Sequence, residues 1–430
     1  MTVLLKHHSF ILSSLSFIFF ISAIVVSSDA DAVPAFARQT TNECSACHYQ
    51  HFPKLKPFGR NFKANGYSLS SQEQLEGDEL SVPMVLNASF FMRSAYTSKS
   101  GSARNELAIP NEAALLVGGR LANGIGGIVE WGGPLLSAKI SFTKAINKNR
   151  VGATIFTTDG LGAAYGYELM NTGAVRNHRA FGNSSMPTLG NNDNLNLSEA
   201  ATGATLFFSS TPNRISSTPT WYVANTFFTP DSGEAGITEL DVNNDVSNYF
   251  RAAMMSRLSK KVEGGLGLGI YSGKTITTLA EANFMGSGLA AGDEIILNTS
   301  AWFIDAQLQG EFKGKDLGVY FMYAEGDTPS TTPGEVNMFA STTVGDKKPT
   351  GWGVDAEYSV TPQVHLLASL GEHDNGGAGS AKSSAGLGVF FFIKQNINLE
   401  LMYERFGGEQ GKDPGGKSAS ETSLILEAAF

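Results

Sequence analysis

From residue 84 onward, apolar and polar side chains alternate in segments of about ten residues. The clearest are 84–93, 112–120, 151–158, 221–228, 250–258, 317–324, 386–393 and 399–406, separated by stretches rich in Gly, Asn, Asp and Ser. A period of two places successive side chains on opposite faces of a strand. Strands of this length, with one face for lipid and the other for a lumen, predict an antiparallel transmembrane β-barrel. The connections are unequal. Stretches 166–200, 229–248, 277–293 and 326–350 are long and mostly polar, whereas Thr361-Pro362 marks a short turn. Long loops outside and short turns on the periplasmic side are the bacterial rule. A soluble sandwich or propeller would have shorter strands and more even loops, and no repeat of fixed period is present.

The chain ends Ser423-Leu424-Ile425-Leu426-Glu427-Ala428-Ala429-Phe430. Leu424, Leu426 and Ala428 share one face, Glu427 falls on the lumen face, and the terminal aromatic resembles the end of an outer-membrane strand.

The N-terminus differs. Lys6, His7 and His8 precede an apolar and hydroxylic run over 9–26, and Ala30-Asp31-Ala32 offers a small-x-small cleavage site. The run is long enough, at about 18 residues, to span a bilayer as a helix. No basic stop-transfer cluster follows it, so residues 1–32 are read as a cleaved signal peptide. No later run is long enough for a membrane helix, so a membrane-inserted mature chain has to be a closed barrel.

Composition agrees with that choice. With 48 glycines, 28 phenylalanines and 17% charged residues among 430, the chain is unlike an ordinary helical enzyme. The net charge of −9 and pI of about 5.4 argue against nucleic acid as a partner. There is no Ser/His/Asp set, no phosphate-cradling Gly loop before a helix and no His-rich metal cluster. His178, His365 and His373 are scattered along the chain, and a lone His in a polar loop is most often simply solvated.

The sharpest chemical signal is Cys44-Ser45-Ala46-Cys47-His48. Two thiols at i and i+3 followed at once by an imidazole form the pattern for attachment of haem c: two thioethers to the vinyl groups and His48 as an axial iron ligand. A thiol oxidoreductase would place Cys-x-x-Cys in a βαβ context that is missing here, and a zinc site would need a second ligand pair. The opposite iron ligand is open. His51 is too close in sequence to reach the other ring face easily. Met84 is the first choice and Met92 the next, each weighed against an ordinary apolar or wall position.

Around the motif, Phe36, Phe52, Phe58, Phe62 and Tyr67 are dense enough to wrap a haem, and Pro34, Pro53 and Pro57 limit continuous helix. About thirty-five residues cannot bury a core alone, so haem and the barrel interior must supply contact surface. Arg38, Lys54, Lys56, Arg60 and Lys63 make the segment basic. The two arginines are the better candidates to meet haem propionates or lumen carboxylates, and the lysines are expected to be solvated. Residues 68–82, with Gln72, Glu73, Glu76, Asp78 and Glu79, read as a linker.

Together, Pro34-Ala35-Phe36-Ala37-Arg38-Gln39-Thr40, Cys44 to His48, Phe52-Pro53-Lys54-Leu55, Phe58-Gly59-Arg60, Phe62-Lys63 and Gly66-Tyr67 resemble the fused monohaem cytochrome-porins of iron-oxidising bacteria. Thr41 stands where a glycine is common in that family. The resemblance implies a signal peptide over 1–32, a monohaem c-type segment over 33–67, a linker over 68–82, and a porin-like barrel of about sixteen strands over 83–430 with the haem segment as its plug. It further implies Fe(II) as electron donor, a periplasmic c-type cytochrome as acceptor, and outer-membrane lipid around the wall. Two rival functions remain open: transfer to or from another extracellular redox partner, and a diffusion porin with a structural haem plug. Loop carboxylates such as Asp231, Glu234, Asp241 and Asp245 are possible transient iron contacts.

Overall fold

The computed structural model describes residues 35–430 apart from 72–73, 78–79, 85, 133–134, 175–199, 211–218, 231–245, 279–293, 329, 331, 333, 340–346 and 378. The expected signal peptide, His178 and the carboxylates of Asp231, Glu234, Asp241 and Asp245 lie outside the described residues.

Three short helices come first: α1 (Ala35–Thr40), α2 (Cys44–Cys47) and α3 (Pro57–Ala64). A small hairpin follows, β1 (Gln74–Gly77) with β2 (Leu80–Pro83). The expected linker therefore carries structure of its own. The wall then runs through β3 (Ala88–Lys99), β4 (Glu106–Ala122), β5 (Ile125–Gly132), β6 (Leu135–Ile146), β7 (Asn149–Thr158), β8 (Ala201–Ser210), β9 (Thr220–Pro230), β10 (Ser247–Arg257) and β11 (Val262–Ser272). A side hairpin, β12 (Lys274–Thr278) and β13 (Glu294–Asn298), precedes β14 (Ala301–Phe312) and β15 (Lys315–Gly326). After β16 (Glu335–Asn337), the wall ends with β17 (Thr350–Ser359), β18 (Val364–Asp374), β19 (Lys382–Lys394), β20 (Ile397–Gly408) and β21 (Ser420–Ala429).

Among the described residues, sixteen of these strands close into one barrel, each antiparallel to both neighbours, with β21 returning to β3. The first wall strand starts at Ala88, so Met84 lies outside it. The seam is tied at its end by two backbone hydrogen bonds: Phe90 N–H to the Phe430 carbonyl at 2.7 Å and Phe430 N–H to the Phe90 carbonyl at 2.9 Å. Closure leaves no unpaired edge, the condition for a sheet surrounded by hydrocarbon.

The two faces differ as the alternation demands. Leu206, Trp221, Phe227, Leu266, Trp302, Ile304, Leu387 and Leu401 point outward and are exposed, while Thr205, Tyr222, Arg251, Asp305, Gln307, Asp355 and Glu404 point inward and are buried. An apolar exterior over a polar interior suits a wall in lipid, since burying polar groups against hydrocarbon is costly.

The interior is filled from both ends. The helical segment touches the wall beside the short turns at 123–124, 258–261, 313–314 and 360–363. From the opposite end the chain after β7 turns inward, and Ala163, Ala164, Leu169 and Met170 are fully buried. This corrects the expectation that 166–200 begins as a polar outer loop. Tyr165, Tyr167, Leu169 and Met170 give the described part apolar surface that is buried within the barrel. Its buried charge at Glu168 is met by Arg251, whose Nε lies 2.9 Å from Oε2. The same guanidinium forks onto Asp305 at 2.6 and 2.9 Å. All three side chains are completely buried.

At that end β12, β13 and β16 form a three-stranded sheet. Leu297, Met338 and Phe339 from it and its flank pack on Tyr249, Tyr271, Phe303 and Met322 of the wall in a single apolar cluster.

Candidate haem-binding site

Cys44–Cys47 forms a single helical turn, closed by the His48 N–H donating to the Cys44 carbonyl at 2.8 Å. Residues three apart on a helix share a side, so both thiols sit on one edge of the turn, and both are half-buried and free. Burial pushes the Cys44 thiol up; burial and the neighbouring Cys44 push Cys47 up to about 11. At neutral pH both are thiols.

His48 begins a tight hairpin. It bridges Leu55 in antiparallel fashion, and the Tyr49 N–H donates to the Lys54 carbonyl at 2.9 Å. The His48 Nδ1 lies 3.2 Å from that same carbonyl. With Nδ1–H as donor, Nε2 carries the free lone pair, the arrangement found in metal-bound histidines. Burial pulls the imidazole down to about 4, so it is neutral over the physiological range. The Phe52 ring stands 5.3 Å from His48 and is 59% exposed.

These residues fit haem c: two thiols on one edge, a neutral imidazole whose other nitrogen is already engaged, and an open aromatic ring beside it. Cys44 and Cys47 would hold the macrocycle through thioethers and His48 would ligate the iron. α3 packs close against the attachment turn. A Cβ added at Gly59 would stand 2.5 Å from the Cys47 carbonyl oxygen, so only glycine fits there. Pro57 begins α3 at a position where its missing N–H costs nothing.

The aromatic residues divide into two groups. Phe36, Phe62 and Tyr67 pack on one another, with centroids 5.0 to 5.7 Å apart, as the segment's own core. Of the expected aromatic wrapping, Phe52 alone is both exposed and against His48. His51 faces the wall: its ring stacks on Phe390 at 4.4 Å and its Nε2 lies 2.9 Å from Glu357. Met84 follows β2 and is 55% exposed. Met92 lies in β3 with the parity of exposed Phe90, so it faces out of the barrel.

The basic residues find the lumen. Arg60 pairs with Glu263, and its Nη1 also donates to the Leu55 carbonyl at 2.9 Å. Lys54 is not solvated as expected but fully buried against Glu357, which also accepts from His365 Nδ1 at 2.6 Å. Burial of an amine requires such a partner. Arg38 donates to the Ala88 carbonyl rather than to a carboxylate. The Tyr49 hydroxyl lies within hydrogen-bond distance of the carbonyls of Gly310 (2.8 Å) and Leu317 (3.1 Å), and Gln50 donates to that of Glu357 at 2.9 Å. Gln39, buried in α1, donates to the carbonyls of Tyr67 and Leu69 and accepts from the Arg120 N–H at 3.2 Å.

Glu357, Glu263 and Asn171 escaped the sequence reading. Only their parity within alternating strands could have pointed to the first two, and nothing local marks Asn171.

The sequence matches no family model and no curated protein. Among solved structures, the chain is similar to outer-membrane expressed OmpT of Vibrio cholerae, at 11% identity and a TM-score of 0.47, with 83% of this chain and 100% of that chain covered. It is similar to the anion-selective porin from Comamonas acidovorans at 11% identity and a TM-score of 0.45, covering 80% and 99%. For OprB of Pseudomonas putida the values are 10%, 0.47, 80% and 93%. The sixteen-stranded closed barrel of this chain stands on its own hydrogen-bonded registers.

Proposed function

We propose that this chain is an outer-membrane electron conduit: one covalent haem c at Cys44, Cys47 and His48 takes electrons from extracellular Fe(II), and a periplasmic c-type cytochrome collects them. The observation that carries the reading is the Cys-x-x-Cys-His turn followed at once by Tyr49, whose hydroxyl reaches the wall of a closed barrel beside a short turn. When bound, haem supplies a one-electron couple. The protein's own part is to seal the lipid boundary, hold His48 neutral and oriented, and keep the attachment turn fixed against α3.

Two further features support it. If the short turns face the periplasm, the His48 hairpin lies at the mouth from which a soluble carrier can approach. Along β17 to β20 the lumen face carries Asp355 and Glu404, both buried within the barrel. Carboxylates on the inner face attract a cationic donor more than an anionic one. Met84, whose thioether is exposed, would be the second residue to hold the iron.

The test is anaerobic spectroscopy of the purified, haem-loaded protein as Fe(II) is added near neutral pH. Rapid appearance of a reduced c-type spectrum is expected. A c-type haem that Fe(II) fails to reduce would redirect the reading to another extracellular partner. The diffusion-porin alternative is favoured by the closed wall itself. Solute flux through reconstituted protein that is large and insensitive to haem loss would support it.

A further inference from the structure

Glu357 sits on β17, far in sequence from the haem motif, yet its carboxylate gathers both arms of the hairpin that begins at His48. Lys54 Nζ binds Oε2, and His51 Nε2 lies 2.9 Å from the same oxygen. His365 Nδ1 of β18 holds the other oxygen at 2.6 Å, and the Gln50 amide reaches the Glu357 backbone carbonyl at 2.9 Å. The side chains of Glu357, Lys54, His51 and His365 are 1 to 6% exposed. Lys54 in turn offers its carbonyl to the Tyr49 N–H and to His48 Nδ1. A continuous line of contacts thus runs from the barrel wall to the imidazole: Glu357, the Lys54 ammonium, the Lys54 carbonyl, the His48 ring.

We infer that Glu357 is a positioning residue for the haem: by clamping Lys54 and His51 to the wall it fixes the carbonyl that orients His48, and so sets the donor strength of the axial ligand. The inference rests on the haem reading above. Partners hydrogen-bonded to the outer nitrogen of a ligating histidine fix its tautomer and raise its basicity. A basic imidazole favours the oxidised iron, so slackening this hydrogen bond raises the midpoint potential. The wall is then part of the electronic tuning of the site as well as its container.

The experiment compares Glu357→Gln and Lys54→Met with the wild-type full chain in detergent. Three quantities are read: covalent haem by mass, midpoint potential by spectroelectrochemistry, and the rate at which a broad-specificity protease cuts the 48–55 hairpin. The two substitutions remove opposite charges. A through-space charge effect alone would move the potential in opposite directions, whereas a loosened clamp raises it in both. The expected result is unchanged haem attachment, a higher potential in both variants, and hairpin cleavage at least about tenfold faster, because one buried partner is left uncompensated. The double variant removes the stranded charge and should recover much of the protease resistance. Potentials equal to wild type, or shifts of opposite sign, would overturn the proposal. A wild-type chain that carries no covalent haem would sink the haem reading instead. The cleavage comparison would then still decide the clamp, equal rates overturning it and faster cleavage in the variants supporting it.

Discussion

Asn171 grips the backbone of Leu55 from both sides: the Leu55 N–H donates to Oδ1 at 2.5 Å, and Nδ2 donates back to the Leu55 carbonyl at 3.2 Å. Asn171 belongs to the segment that descends from the long-loop end, and Leu55 closes the hairpin begun by His48. The two fillings of the lumen are thereby joined. Replacing Asn171 by Leu should leave the Leu55 N–H short of a partner, the carbonyl keeping Arg60 Nη1, at a cost of about 1–3 kcal/mol. Hydrogen exchange at the Leu55 amide should accelerate while the barrel keeps its heat-modifiable gel migration; an unchanged exchange rate would show that the clasp contributes nothing.

Gly59 makes a second test, at the contact between α3 and the attachment turn. In Gly59→Ala the new methyl meets the Cys47 carbonyl, and separating the two elements should cost about 1–3 kcal/mol. Because the turn carries both thiols, the fraction of purified chain bearing covalent haem should fall. Full haem occupancy, measured by mass spectrometry, would contradict this.

Arg251 neutralises Glu168 and Asp305 in the interior. Arg251→Met strands two buried carboxylates and should destabilise the inward segment by about 3–5 kcal/mol. Arg251→Lys should recover only part of the loss, because an ammonium cannot present the fork that Asp305 receives. Protease sensitivity of the segment near Tyr167 is the direct measure.

Lys63, in α3, gives a pH dependence of definite sign. Burial pulls its amine from 10.5 down to about 8, against an opposing effect of Glu168. Below pH 8 the amine is charged in both the folded and unfolded segment, and the cost of burying that charge is fully present. Between 8 and 10.5 the unfolded chain holds the proton and the folded one releases it, so stability rises with pH. The gain is of order 1 to 3 kcal/mol, discounted for partial solvent access. Lys63→Met should flatten the unfolding midpoint of the plug across this window, and persistence of the slope would assign it to another group.

The wall was legible where side chains announce their own alternation, as in Trp221 to Phe228 or Leu399 to Phe406, and the attachment motif is local by nature. Strands such as β11 were harder to see. In Val262-Glu263-Gly264-Gly265-Leu266-Gly267-Leu268-Gly269 the inward positions after Glu263 are glycines, since the space is taken by neighbours: Phe303 lies against Gly269, and Arg251 and Asp305 against Gly267. The absence of a side chain there is a packing decision made on other strands. The same holds for Glu357. Alternation places it inward, but its partners Lys54 and His51 come from a segment some three hundred residues away, and no local pattern predicts that meeting. The inward turn at Tyr165 to Met170 is hard to see because its surroundings are polar while its own residues, Glu168 apart, are mostly apolar.

The Phe90 to Phe430 seam orders events in time. The wall becomes a ring only when β21 pairs with β3. Any bulky group destined for the interior can be joined to Cys44 and Cys47 while the ring is still open, and the last strand then acts as a latch that shuts behind it. On the proposed function, a chain lacking β21 would still take haem at Cys44 and Cys47 and would fail at closure of the wall.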